Sequence, residues 1–113
     1  MTNFNSMEFY QDLLDSFKDP VLVADTGHII RYANQAARKF YPDGEQLLGR
    51  SLFACHNQQS QRQMKEILQQ LEAGLAEQLI TDNQKNRIYM RALRNRAGQL
   101  IGYYERFEPP RGE

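Results

Sequence analysis

The chain has 113 residues, with 14 lysines and arginines balanced by 14 aspartates and glutamates, and a single cysteine. This length suits one compact domain, and the balanced charge removes the long-range attraction toward nucleic acid or anionic lipid that a basic excess would give. One cysteine cannot form an internal disulfide and no apolar run approaches a membrane span, so we expect a cytoplasmic protein that binds neither nucleic acid nor membrane.

Residues 1–17 predict an N-terminal helix. Apolar side chains recur there at helical spacing as far as Phe17, and Asn5 followed by Glu8 is typical of a capping pair. The Asp-Pro pair at 19–20 ends the helix, because proline cannot continue it. We therefore treat this helix as a segment separate from the domain that follows.

The next stretch predicts a β-hairpin and then a short helix. Residues 21–24 and 28–32 are rich in β-branched and aromatic side chains, and the Thr-Gly pair at 26–27 is typical of a tight turn between strands. Asn34 is placed to cap a helix over 35–40.

The second half predicts one long helix and three strands. Ser60 and Gln63 form a capping box, and an apolar stripe follows until Gly74 ends the helix. The strand candidates are 77–82, 87–94 and 100–107. Two strands before the helices and three after them indicate an α+β fold, in which one five-stranded antiparallel sheet carries helices on one face.

Four segments, taken in their order and spacing, resemble a PAS domain. They are 19–25 with Gly27, the Tyr-Ala-Asn-Gln-Ala-Ala run at 32–37, Leu-Leu-Gly-Arg-Ser at 47–51, and 94–102 with its two glycines. The resemblance implies a PAS domain over 18–108, a capping and dimerisation helix over 1–17, and a tail over 109–113. It also implies a bacterial sensory module of signal transduction. The Cys55-His56 pair resembles a sub-branch of bacterial PAS modules.

Strand alternation gives candidates for a ligand cavity between the sheet and the long helix. Along 87–94, every second side chain is apolar and faces the core. The same parity, applied to the other strands and combined with the helix stripe, gives the candidate cavity residues Leu22, Ala24, Cys55, His56, Met64, Leu68, Ile88, Met90, Leu100 and Tyr104. The alternative is that these side chains fill one another's space and leave no cavity.

The opposite sheet face is too apolar to remain in water, so we expect the N-terminal helix or a second copy of the chain to cover it. In PAS domains this surface is a common dimer interface, and the resemblance implies a homodimer here. The candidate interface residues are Tyr10, Leu13, Leu14, Phe17, Tyr89, Ile101 and Tyr103.

Cys55 and His56 are the residues that invite chemistry. A cysteine ahead of a helix feels the positive end of the helix dipole, so a redox-sensing thiol is one hypothesis. Flavin photochemistry in PAS relatives needs a cysteine nearer the preceding glycine, and haem-binding relatives carry a histidine in or just before the long helix, where 61–73 has none. We therefore expect no haem, no flavin, no metal and no catalytic residue, and the protein is not expected to be an enzyme.

The sequence thus predicts a PAS sensor or protein-interaction module that forms homodimers and has a candidate small-molecule cavity. Its expected effector is a histidine kinase, a cyclase or a transcription regulator, fused or separate. Two alternatives stay open. One is a purely structural dimerisation module with a filled core, and the other is a haem- or redox-sensing PAS domain that uses Cys55 and His56.

Overall fold

The computed structural model describes residues 1–112, apart from the side chain of Cys55. The elements, in chain order, are α1 Met7–Asp15, β1 Val21–Asp25, β2 Ile30–Ala33, α2 Gln35–Phe40, the 3-10 turns Gly44–Gln46 and Leu52–Cys55, α3 Gln58–Glu72, β3 Glu77–Asp82, β4 Arg87–Arg94 and β5 Leu100–Glu108. The strands form one antiparallel sheet in the order β2-β1-β5-β4-β3. The predicted α+β fold with a five-stranded antiparallel sheet is confirmed.

The N-terminal capping residues of α1 and α3 differ from those that the sequence predicts. The hydroxyl of Ser6, rather than Asn5, accepts the N–H of Phe9 at the start of α1. At α3, the Asn57 side chain accepts the N–H of Ser60 at 2.8 Å, so the helix begins at Gln58 and not after a capping box at Ser60. Asparagine and serine are equally good caps, and the earlier cap adds a turn of helix.

Asn34 joins the first half of the chain through four hydrogen bonds. Its fully buried side-chain oxygen accepts the N–H groups of Val21 and Ala37, and its amide nitrogen donates to the carbonyls of Leu14 and Asp19. These bonds use the full capacity of a carboxamide. Asn34 therefore caps α2 as predicted and also fixes β1 and the end of α1 around it.

A β-bulge in β5 reverses the side-chain alternation. In the register with β4, Leu93 pairs with Gly102 but Arg94 pairs with Leu100, so Ile101 is an extra residue on β5. An extra residue shifts every later side chain to the opposite face. Tyr103 is consequently buried in the core among the helices.

The position of α1 also differs from the prediction. The helix packs against α2, and the Asp15 carboxylate accepts hydrogen bonds from the Tyr32 hydroxyl at 2.6 Å and the Gln35 N–H at 3.0 Å. No residue of α1 is buried, and Ile101 on the far face of the sheet stays 48% exposed. Of the two covers expected for the far face, α1 does not provide one within the single chain, because its polar end docks at the β2–α2 corner. Cover by a second copy of the chain stays a prediction.

Candidate ligand-binding cavity

A cavity of about 350 Å³ lies between the sheet and the helices. Its walls come from β1, β2, β3, β4 and β5, from α2 and α3, and from the segment that joins them. The lining residues are Leu22, Ile30, Phe40, Tyr41, Leu47, Arg50, Ser51, Leu52, His56, Ser60, Gln63, Met64, Ile80, Thr81, Ile88 and Glu105. The volume and the mostly apolar lining with a few polar groups are typical of a small-molecule site.

The cavity opens to solvent on its helix side. Phe40, Arg50 and Gln63 line the cavity and are also exposed on the surface. The opposite wall is closed, because Leu22 and Ile30 are buried in the core. A molecule can therefore enter past the exposed side chains and reach the sheet.

Glu105 is the unusual group of the closed wall. It is only 5% exposed, and in the sheet register it pairs with Leu22 on one side and Met90 on the other, both of them buried. Among the described residues, its carboxyl has no hydrogen-bond or ion-pair partner. Burial raises the pKa of this carboxyl to about 7, because the charged form loses its hydration without gaining a partner.

The other charged or titratable groups of the lining are held differently. The Arg50 guanidinium is half exposed and donates a hydrogen bond to the Gln46 side chain at 3.0 Å. It also forms an ion pair with the Asp43 carboxylate at 3.9 Å. Burial lowers the pKa of His56, so its imidazole is held neutral at pH 7. Among the charged groups of the lining, Glu105 is therefore the one that has no oppositely charged partner in the described structure.

A second buried polar group supports the wall of the cavity. The Tyr103 hydroxyl lies 2.8 Å from Nδ1 of His28, and the His28 ring stacks on Phe53 at 4.3 Å between centroids. Burial raises the pKa of Tyr103 and lowers that of His28, so this pair stays neutral near pH 7. We interpret this pair as a structural bond inside the core.

The structure places four of the ten predicted cavity residues on the lining: Leu22, His56, Met64 and Ile88. Four others, Ala24, Leu68, Met90 and Leu100, pack in or against the core without lining the cavity. Tyr104 lies on the far face of the sheet, because the bulge in β5 reverses the parity from which it was predicted. The side chain of Cys55 lies outside the described residues.

The predicted interface residues divide in a similar way. Tyr10, Leu13, Phe17 and Ile101 are exposed apolar side chains. Leu14 and Tyr89 are half-buried, and Tyr89 lies under the Arg106 guanidinium at 4.1 Å. Tyr103 cannot contact a partner on the far face, because it is fully buried on the helix side. The same bulge is the cause of this error.

Sequence reasoning missed Glu105. A glutamate between Tyr104 and Arg106 reads as a solvent-facing residue near a strand end, and simple alternation from Leu100 places it outward. Once the extra residue Ile101 is counted, the alternation turns Glu105 inward. The signal that could have found it is the apolar Phe107 two residues later, which shares its face.

Neither a metal site nor a membrane span is found in the described part of the chain. No group of three or more histidine, cysteine, aspartate or glutamate side chains there could hold a metal ion. None of the helices among residues 1–112 is long and apolar enough to cross a membrane.

An antiparallel five-stranded sheet that encloses a small cavity with helices on one face defines a class of small α+β domains built around an internal pocket. A family model described as "PAS fold" matches residues 14–110 of the chain. The chain therefore belongs to the PAS family, whose members are sensory modules of signal transduction and in general regulatory rather than catalytic.

Solved structures of low sequence identity share this fold. The PAS domain of a protein from Colwellia psychrerythraea is 12% identical, with a TM-score of 0.69 over 91% of this chain and 95% of that chain. A sensory box sensor histidine kinase from Vibrio cholerae is 13% identical, with a TM-score of 0.63 over 88% and 87%. A phage VqmA–DPO complex is 15% identical, with a TM-score of 0.71 over 91% of this chain and 52% of that chain. No curated protein shows significant similarity to the chain.

Proposed function

We propose that this PAS domain is a cytoplasmic bacterial sensor that binds a small molecule in the cavity and acts as a homodimer. It passes the signal to an effector such as a histidine kinase, a cyclase or a transcription regulator, fused or separate. The protein is not proposed to be an enzyme. The observation that carries the proposal is the cavity of about 350 Å³, which is lined both by exposed side chains and by the nearly buried Glu105.

The cavity favours ligand sensing over a filled, purely structural core. Well-packed cores leave few voids larger than a water molecule, whereas this space of about 350 Å³ lies between the sheet and the helices, is lined mostly by apolar side chains and falls within the range of small-molecule sites. The phage VqmA structure, which shares the fold, holds DPO. A bound molecule would signal by its different affinity for two arrangements of the domain.

The ligand-binding part is tested by native mass spectrometry of protein purified without denaturation. We expect a mass excess that disappears when the protein is unfolded, together with NMR shifts at cavity-lining amides when small organic fragments are added. A visible absorbance spectrum of the same sample tests the haem- or redox-sensing alternative at Cys55 and His56. A protein that retains no molecule and binds no fragment would contradict ligand sensing.

Two sets of exposed apolar side chains support the homodimer. Leu13 projects from α1, and Phe17 lies two residues after the end of this helix. Ile101 projects from the far face of the sheet. Within a single chain, these side chains remain 46%, 47% and 48% exposed. A second copy that covers them removes apolar surface from water, at roughly 25 cal/mol per Å².

Light scattering coupled to size-exclusion chromatography tests the homodimer. We expect a dimer for the natural sequence and a monomer for Leu13→Asp combined with Ile101→Asp. Leu48→Asp is the matched control, because Leu48 is 57% exposed and lies outside α1 and outside the sheet, so its change should leave the dimer intact. A monomer at high micromolar concentration for the natural sequence would refute this part of the proposal.

A further inference from the structure

The polar groups of the cavity indicate which class of ligand it takes. Glu105 belongs to the sheet wall of the cavity, in a row between the buried side chains of Leu22 and Met90. Its carboxyl has no partner among the described residues and lines the cavity. Among the described residues, no side-chain nitrogen or oxygen is both fully buried and without a partner, so the carboxyl oxygens of Glu105 face the cavity, where a ligand can reach them. A carboxylate in such a mostly apolar site loses part of its hydration, and a ligand that donates to it recovers that free energy.

We infer that the cavity binds a small amphipathic organic cation, an amine whose ammonium group donates to the Glu105 carboxylate while its apolar body fills the space toward the opening. This inference rests on the proposed ligand-sensing function and specifies its ligand. The hydrogen bond between ammonium and carboxylate is charge-assisted, and such bonds are roughly twice as strong as neutral ones.

Charge separates this ligand class from the others. An anion would meet the unpaired carboxylate, and the positive group of the lining, Arg50, is directed toward Gln46 and Asp43 at the surface. A neutral molecule would leave the carboxylate without a counter-ion above pH 7, or would bind beside the protonated carboxyl below it, and in either case would form no charge-assisted hydrogen bond. A cation is the ligand that pairs this charge.

The remaining lining residues fit the body of such a molecule. Aliphatic side chains from the sheet, α3 and the loops form most of the wall, among them Leu47, Leu52, Met64 and Ile88. The volume of about 350 Å³ lies near the lower end of the range of small-molecule sites. The ligand is therefore compact, with one charged end and one aliphatic or aromatic end.

The test uses three probes that share a phenyl ring and a two-carbon chain: 2-phenylethylamine as the cation, 2-phenylethanol as the neutral molecule and 3-phenylpropionate as the anion. Their affinities are measured by titration of amide NMR signals from the cavity wall. We expect the amine to bind at least about tenfold more tightly than the alcohol at pH 8, and the anion to bind most weakly. Glu105→Gln should abolish the preference for the amine, whereas Glu66→Gln, which removes an exposed charge from α3, should retain it.

A pH profile of the natural sequence provides a second readout that needs no variant. Because the pKa of Glu105 is raised to about 7, we expect the affinity for the amine to fall roughly tenfold from pH 8 to pH 6, as the carboxyl takes up a proton. The other titratable and charged groups around it are Arg50, His56, Tyr41 and Tyr103. The raised pKa of Tyr103 keeps its hydroxyl neutral over this range, and the lowered pKa of His56 limits its protonation.

The outcomes separate the inference from the function beneath it. If the alcohol or the anion binds as tightly as the amine, the cation assignment is wrong while binding in the cavity stands. If none of the three probes moves a cavity amide at millimolar concentration, the cation assignment fails together with ligand binding in the cavity. Equal amine affinity in the natural sequence and in Glu105→Gln also overturns the inference.

Discussion

Replacement of Glu105 by glutamine tests the electrostatic description of the cavity without any ligand. Burial raises the pKa of this carboxyl from 4.5 to about 7 in the folded protein. In the unfolded chain the group returns to its ordinary value, so the folded state binds the extra proton between these two pH values. Stability therefore falls as the pH rises from 4.5 toward 7, and it stays low above 7.

The size of the effect follows from the two pKa values. Each pK unit corresponds to about 1.4 kcal/mol, so the rise from 4.5 to about 7 costs the folded state about 3 kcal/mol once the carboxyl is fully ionised. Glutamine has a similar shape and does not titrate. The difference in unfolding free energy between Glu105→Gln and the natural sequence should therefore increase by about 2 to 3 kcal/mol from pH 5 to pH 8.

Urea unfolding followed by circular dichroism at several pH values measures this difference. Subtraction of the two proteins cancels the groups whose pKa values are lowered by their partners, such as Asp15, Asp25 and Glu77. Glu66→Gln, measured in parallel, corrects for the loss of one negative charge at an exposed site. A difference that stays constant from pH 5 to pH 8 would show that the Glu105 carboxyl is solvated, and the description of the cavity would be wrong.

Three further substitutions test the core by urea unfolding. Asn34→Ala leaves two buried N–H groups without an acceptor, so we expect a loss of at least about 2 kcal/mol, and a loss below about 0.5 kcal/mol would contradict the four-bond arrangement. Tyr103→Phe removes the 2.8 Å partner of His28 and should cost about 1–3 kcal/mol, whereas an unchanged midpoint would mean that water replaces the hydroxyl. Gly102→Ala places a Cβ atom 2.2 Å from the Ala24 carbonyl oxygen, so it should destabilise the β1–β5 pairing by about 1–3 kcal/mol or more, and a neutral result would show that these strands can separate freely.

The exposed salt bridges contribute less to the free energy of unfolding than the buried groups at Asn34 and Tyr103. Arg106 pairs with Glu77 at 2.7 Å on the far face of the sheet, and both side chains are more than a quarter exposed. Exposed or partly exposed pairs of this kind contribute at most about 1 kcal/mol, because water screens the charges. The stability of the domain therefore depends mainly on the buried groups around Asn34, Tyr103 and the apolar core.

The sequence by itself determined the secondary structure and the fold class. Periods of two and of 3.6 residues are local properties, so β4 at 87–94, β3 at 77–82 and the stripe of α3 follow directly from the spacing of apolar residues. Asn34 was also recognisable as a cap, because only a short polar side chain at that point can accept the first free N–H groups of α2.

The tertiary structure decided which side chains face the cavity. The bulge at Ile101 arises from how β5 pairs with β4, and no local pattern reports a pairing between strands. That one extra residue turned Tyr103 and Glu105 inward and Tyr104 outward. The docking of α1 was settled in the same way, by the hydrogen bonds of Asp15 to Tyr32 and Gln35, which are distant in sequence. A strand's alternation can be read from sequence, but its phase depends on partners that only the folded chain brings together.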